Sequence, residues 1–209
     1  MFTLYAKKNA GSLAVEAMLA LCDADYEIKD LQRDAAGKFP PMLFEVNPRG
    51  EVPVLILPDG TTMTESAAML IHLGDTFPQA GLAPAITLPL RPRYLRWMLF
   101  LATTIYMSSL RLDHPQYYTT DPAGIPGIKA KALPGMAREF AILSDAIGTG
   151  PFILGADMSA VDVYAAMLST WHPDAASLFA QHPNIKALYH RVISVPAVAG
   201  VWTRNGALP

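Results

Sequence analysis

The spacing of apolar residues divides the chain into two regimes. Residues 2–6 read as a short strand, 13–24 repeat apolar side chains at helical spacing, and 26–31 return to a strand. Consecutive parallel strands need a crossover, so this order predicts a βαβ opening. Residues 52–57 are an apolar, β-branched run, Asp59-Gly60 is a hairpin signal, and a short return strand leads into a helix over 67–77. Between them, 33–44 reads as irregular, because Gly37, Pro40 and Pro41 interrupt a long helix. Beyond 92 the pattern is almost wholly helical, over 93–110, 128–147, 160–169 and 184–194. Prolines at 84, 89 and 92 mark the change. The expected organisation is an α/β domain over 1–79, a linker over 80–92 and an all-α domain over 93–209.

The stretch from Asn47 to Ser66 carries the chemistry. Asn47-Pro48-Arg49-Gly50 punctuates a turn, and Val52-Pro53 enters the strand through a proline, which gives no ladder donor and tolerates a cis bond. A cis bond there would turn the backbone of Val52 outward, free to pair with an extended peptide as one more strand. Glu65-Ser66 opens the following helix, where unpaired N–H groups and the helix dipole favour an anion. A carboxylate, a hydroxyl and free amides suit a ligand end that bears both an ammonium and a carboxylate. Taken alone, the same pair is also an ordinary helix start.

Composition narrows the classes. Hydrophobic residues make up 52% and charged residues 16%, which leaves room for an apolar cleft or a subunit interface. A net charge of -2 gives no electrostatic footprint for nucleic acid. No secretory signal and no membrane-length apolar run is visible, and the single Cys22 suits a reducing compartment, so a cytoplasmic protein is expected. His72, His114, His172, His182 and His190 show no zinc-type spacing, and no Ser-His-Asp grouping has local support.

Asn-Pro-x-Gly-x-Val-Pro-x-Leu followed by Glu-Ser resembles the glutathione-binding half of the cytosolic glutathione S-transferases, in particular the bacterial beta- and theta-like members. The resemblance runs over essentially the whole chain. It implies a thioredoxin-like domain followed by a helical bundle, glutathione as co-substrate, and a homodimer with a small hydrophobic electrophile as second substrate. It assigns the cysteinyl backbone of glutathione to Val52 and Pro53, the γ-glutamyl end to Glu65 and Ser66, and the glycyl carboxylate to Lys38. Thr103 and Thr104 would approach glutathione across the dimer interface. Tyr106 would face the electrophile, in a cleft lined by its helix.

The catalytic group must stabilise a thiolate, since a thiol with a pKa near 8.5 is mostly protonated at neutral pH. The polar loop Lys7-Lys8-Asn9-Ala10-Gly11-Ser12 offers Ser12 and Asn9, with Tyr5 in the strand as a third choice. Ser12 also reads as a simple helix cap. Gly11 falls where the beta-like members place a cysteine, which disfavours cysteine-based thiol chemistry. The function implied is attack of the glutathione thiolate on the electrophile, in a detoxifying role. A glutathione-dependent reductase, isomerase or ether-cleaving enzyme is the alternative, as is a non-catalytic glutathione-binding protein. Ser159-x-x-Asp162 is a capping box, read as folding residues outside the site.

Overall fold

The structure, a computed structural model, describes residues 1–207. The chain separates into two compact units, one of Met1–Ala85 together with the chain from Ile193 onward, the other of Ile86–Val192. In the first, β1 (Phe2–Ala6), α1 (Ser12–Leu21) and β2 (Tyr26–Asp30) form the βαβ opening, with Phe2 opposite Tyr26 in the parallel pair. α2 (Pro41–Val46) follows, then β3 (Val54–Ile56), β4 (Thr62–Met63) and α3 (Ser66–Thr76). The sheet order is β2-β1-β3-β4, with β3 antiparallel to both neighbours.

α2 lies where the prolines were expected to keep the chain irregular. Proline is tolerated in the first helical turn, because the N–H it lacks would have no partner there, and Pro41 is the first residue of this helix. The helix brings Leu43 onto Tyr5, Leu31, Phe39 and Val54, a buried cluster against which Val52 and Ile56 also rest. Tyr5 and Val54 are register partners and so share a face of the sheet. Their neighbours Leu4 and Leu55, also paired and fully buried, therefore point to the opposite face.

The second unit is helical. α4 (Arg91–Phe100) and α5 (Tyr106–Asp113) are two parts of one rod, joined by a π-helical turn over Leu101–Ile105 where a single α-helix was expected. α6 (Ile125–Ile147), α7 (Ala160–Ser169), α8 (Ala175–Gln181) and α9 (Pro183–Ile193) complete it. All ten residues of α7 are buried. Asp162, at its start, accepts from the N–H groups of Ile153 and Ser159, each at 2.8 Å, and from the Ser159 hydroxyl at 2.8 Å, completing the capping box. Among the described residues no helix is long and apolar enough to cross a membrane.

α10 (Pro196–Asn205) returns the chain to the first unit. The Glu16 carboxylate, only 2% exposed, accepts from Arg204 Nε at 2.6 Å, from Arg204 Nη2, and from Asn205 Nδ2 at 3.0 Å. Arg204 Nη1 also reaches Asp30 at 2.8 Å. These hydrogen bonds, with Glu16 first, raise the guanidinium pKa further, so Arg204 keeps its charge.

Arg204→Met strands a buried carboxylate and is expected to cost about 3 kcal/mol in urea unfolding, with part regained in Glu16→Gln/Arg204→Met. Asp162→Ala leaves two buried N–H groups without an acceptor and is expected to cost about 2 kcal/mol or more. Burial pushes the Asp162 pKa up to about 6 despite its donors. From about pH 4 to pH 6 the folded state holds a proton that the unfolded chain releases, so the stability contributed by this group falls as pH rises through that window. Asp162→Asn has no such proton and should flatten that part of the stability profile.

Candidate active site

The strand directions gather the candidate residues of the first unit at one end of the sheet. β1 ends at Ala6 and pairs antiparallel with β3, whose first residue, Val54, lies opposite Tyr5. The loop after β1 and Val52-Pro53 before β3 therefore leave the sheet at the same end. β4 is antiparallel to β3, with Met63 opposite Leu55, so Glu65 emerges at that end too. β2 runs parallel to β1, which brings the loop toward Lys38 out alongside. With strands about 4.8 Å apart, the four exits span about 15 Å.

The local sequence explains each piece. Asn47, 5% exposed, donates from Nδ2 to Glu51 O at 2.8 Å and accepts from Arg49 N at 3.1 Å, while Gly50 N donates to Asn47 O at 2.8 Å. Gly50 has φ of 61°, where an L side chain is strained, and a Cβ there would force the Phe44 ring to shift, so the turn favours glycine. The turn delivers Val52 to a cis peptide with Pro53. The ladder begins two residues later, and among the described residues the N–H and C=O of Val52 have no hydrogen-bond partner.

Glu65 is the N-cap of α3, exposed, with φ of 65° and no side-chain cap bond. A non-glycine residue in the left-handed region costs on the order of 1 kcal/mol or more and is a mark of functional sites. Ser66 begins the helix, half-buried. Arg49 and Glu51, which the sequence reading passed over, border this position: Arg49 pairs with Glu51 at 2.9 Å, and that hydrogen bond, with the charges of Glu51 and Glu65, raises its pKa.

Ser12 is buried, and its hydroxyl donates to Lys7 O at 2.9 Å while accepting from Lys7 N at 3.2 Å. It closes the loop on itself, and its one O–H proton is spent there. Asn9 sits at the exposed tip with φ of 53°. The helix behind it starts at Ser12 with no side-chain cap, so its first N–H groups and positive dipole end face the same loop. Lys38 is exposed in a loop closed by Asp34, which accepts from Lys38 N at 2.8 Å.

The other three candidates belong to the second unit. Thr103 and Thr104 lie within the π-helical turn, a distortion common at functional sites. Thr103 Oγ1 donates to Leu99 O at 2.8 Å. Tyr106 follows the turn, half-buried, edge-on to Trp171 with ring centres 5.1 Å apart and beside Tyr164. No sequence signal marked Trp171.

The family described as glutathione S-transferase, N-terminal domain, matches residues 12–76, which include Ser12, Lys38, Val52, Pro53, Glu65 and Ser66. The GST-like protein YncG of Escherichia coli is 27% identical over 206 residues, covering 98% of each chain. A glutathione transferase homolog from Sulfitobacter, solved with bound glutathione, superposes with a TM-score of 0.89 at 26% identity, covering 100% of this chain and 99% of its own. The chain is thus similar to glutathione S-transferases along its whole length. A sphingomonad glutathione S-transferase complexed with glutathione gives a TM-score of 0.82 at 28% identity, with 98% of both chains covered. The fold is the glutathione S-transferase fold, a thioredoxin-like unit and a helical unit.

The 47–51 turn should be separable from the rest of the fold. Asn47→Ala removes two hydrogen bonds and is expected to cost about 1–2 kcal/mol in thermal unfolding, with amide exchange accelerated at Arg49 to Val52 and unchanged in β2.

Proposed function

We propose that the protein is a glutathione transferase that lays glutathione across the sheet end described above. An extended tripeptide is about 10 Å long, within the roughly 15 Å spanned by the four chain exits. Val52 pairs with the cysteinyl backbone through its N–H and C=O, with Pro53 setting the approach. Glu65 takes the γ-glutamyl ammonium, and Ser66 with the first amides of α3 takes the carboxylate. Lys38 reaches the glycyl carboxylate. The unpaired backbone of Val52, at the same sheet end as Glu65, is the observation that carries this reading, and the glutathione held by the Sulfitobacter and sphingomonad relatives supports it.

The thiol then lies toward the Lys7–Ser12 loop. Asn9 donates to the sulfur and the uncapped end of α1 adds its dipole. Each unit of pKa lowering stabilises the thiolate by about 1.4 kcal/mol. Ser12 shares the catalytic role by holding the loop, and reaches sulfur only by exchanging its bond to Lys7. Tyr106 and Trp171 supply aromatic surface to a small hydrophobic electrophile. We place the enzyme in the cytoplasm as a detoxifying homodimer in which Thr103 and Thr104 approach the partner's glutathione. The exposed apolar Leu99, Leu133 and Ile142 support a self-association surface, and the lone Cys22 a reducing compartment. The commitment of the Ser12 hydroxyl to Lys7 also favours a second reading, a glutathione-binding protein without turnover.

Calorimetry with glutathione, combined with thiolate absorbance against pH, separates the two. For the transferase, Glu65→Ala should weaken binding at least tenfold, and the bound thiol should titrate below its usual value near 8.5, with Asn9→Ala restoring that value more fully than Ser12→Ala. Binding with an unshifted thiol would favour the carrier. No binding would overturn both.

A further inference from the structure

The N-terminal end of α1 faces the loop to which the glutathione sulfur is assigned, and its first turn has no side-chain cap and no acidic residue. One turn further on, an anion stands behind it. Glu16 follows Ser12 by four residues, so it lies on the same face about 6 Å along the axis. Helical side chains lean toward the N-terminus, which carries the carboxylate back over the first turn. Only 2% of Glu16 is exposed, so salt and water screen it little. A helix end is equivalent to about half a positive charge, and a full negative charge roughly twice as far from the sulfur cancels its field. At about 10 Å and an effective dielectric of about 20, an unmatched carboxylate would raise a thiol by roughly one pKa unit.

The charge is met from the far end of the chain. Arg204 donates to Glu16 from Nε at 2.6 Å and from Nη2, and Asn205 adds Nδ2 at 3.0 Å. Both lie on α10, which belongs to the same unit as α1. Asp30, the other carboxylate on Arg204, is exposed, so solvent weakens its charge. Tyr26, at the start of β2, registers both partners. Burial first raises its phenol pKa, the charge of Glu16 raises it further, and that of Arg204 lowers it. An acid near this pair is thus pushed in opposite directions by its two members. Lys7 and Lys8 are the ionisable side chains of the loop itself, and among the described residues neither has a carboxylate within salt-bridge distance.

We propose that Arg204 is a positioning residue for the thiolate chemistry: by neutralising Glu16 it leaves the N-terminal field of α1 available to the glutathione sulfur. This role rests on the sulfur lying off α1, as proposed above. It makes α10 part of the catalytic apparatus without any contact with the substrate.

A charge cycle on the full chain tests it. The thiol of bound glutathione is titrated by thiolate absorbance in the wild type, Glu16→Gln, Arg204→Met and the double variant. Arg204→Met should raise its pKa by about one unit, a roughly tenfold loss of thiolate near neutrality. Glu16→Gln should lower it, the double variant should return close to the wild type, and Arg204→Lys, which keeps the charge, should recover most of the shift. Affinity for S-methylglutathione, which has no thiol to ionise, should be unchanged throughout. A loss of packing alone would move both single variants the same way and leave the double variant no better. Same-sign shifts, or a depressed thiol that Arg204→Met leaves in place, would overturn this role while the transferase reading stands. Should Arg204→Met fail to fold, Glu16→Gln decides, because only the charge effect lowers the pKa. Ser12→Cys puts a thiol on the same helix end without glutathione, and Cys22, whose pKa burial pushes up to about 11, stays out of its range. If glutathione does not bind, the transferase reading fails, and the introduced thiol should still titrate higher with Arg204→Met and lower with Glu16→Gln. An unmoved value there would sink the role of Arg204 as well.

Discussion

Recognition by backbone requires that a strand stop in time. β3 begins at Val54, two residues after Val52, and everything at the sheet end follows from that late start. Extending the ladder by two residues would satisfy Val52 internally and leave a peptide nothing to pair with. The Asn47 turn, Gly50 against Phe44 and the proline at 53 are three separate devices that keep the chain from continuing the strand backward. Unusual backbone is accepted at the same place, with Asn9 and Glu65 both left-handed. The first unit has concentrated its conformational irregularity where the sheet is open and kept its buried pairs, Leu4 with Leu55 and Tyr5 with Val54, regular.

How much of this was legible depends on the range of the interaction concerned. The turn at 47–50, the proline entry at 53, the hairpin at Asp59-Gly60 and the capping box at Ser159 and Asp162 are local, and residue type alone encodes them. The orientation of Ser12 is a matter of a single hydrogen bond to Lys7, which no spacing rule fixes. The short α2 escaped because two prolines argue against a helix unless they fall in its first turn. The π-helical turn at 101–105 has the same apolar period as an α-helix to within one residue, so the pattern cannot distinguish them. Trp171 meets Tyr106 across more than sixty residues, and no local signal announces it.

The two units also handle buried charge differently. In the helical unit Asp162 is surrounded by neutral donors, and burial outweighs them, so its proton affinity rises. In the first unit Glu16 is matched by a guanidinium that binds both its oxygens and by Asn205. The first arrangement fixes where a helix starts. The second fixes which distant segment may lie against α1, because an apolar or misregistered helix would leave Glu16 buried without a counter-charge.

That pairing bears on the order in which the molecule can mature. Glu16 and Arg204 are separated by 188 positions, so on a chain made from its N-terminus the carboxylate is synthesised long before its partner exists. The helical unit, contiguous from Ile86 to Val192, can close as soon as it emerges, while the sheet that precedes it waits for the last helix to arrive. The sheet unit is thus translated before the bundle yet completed after it, and a nascent chain interrupted before α10 would carry a finished bundle and a sheet with its charge still unmet.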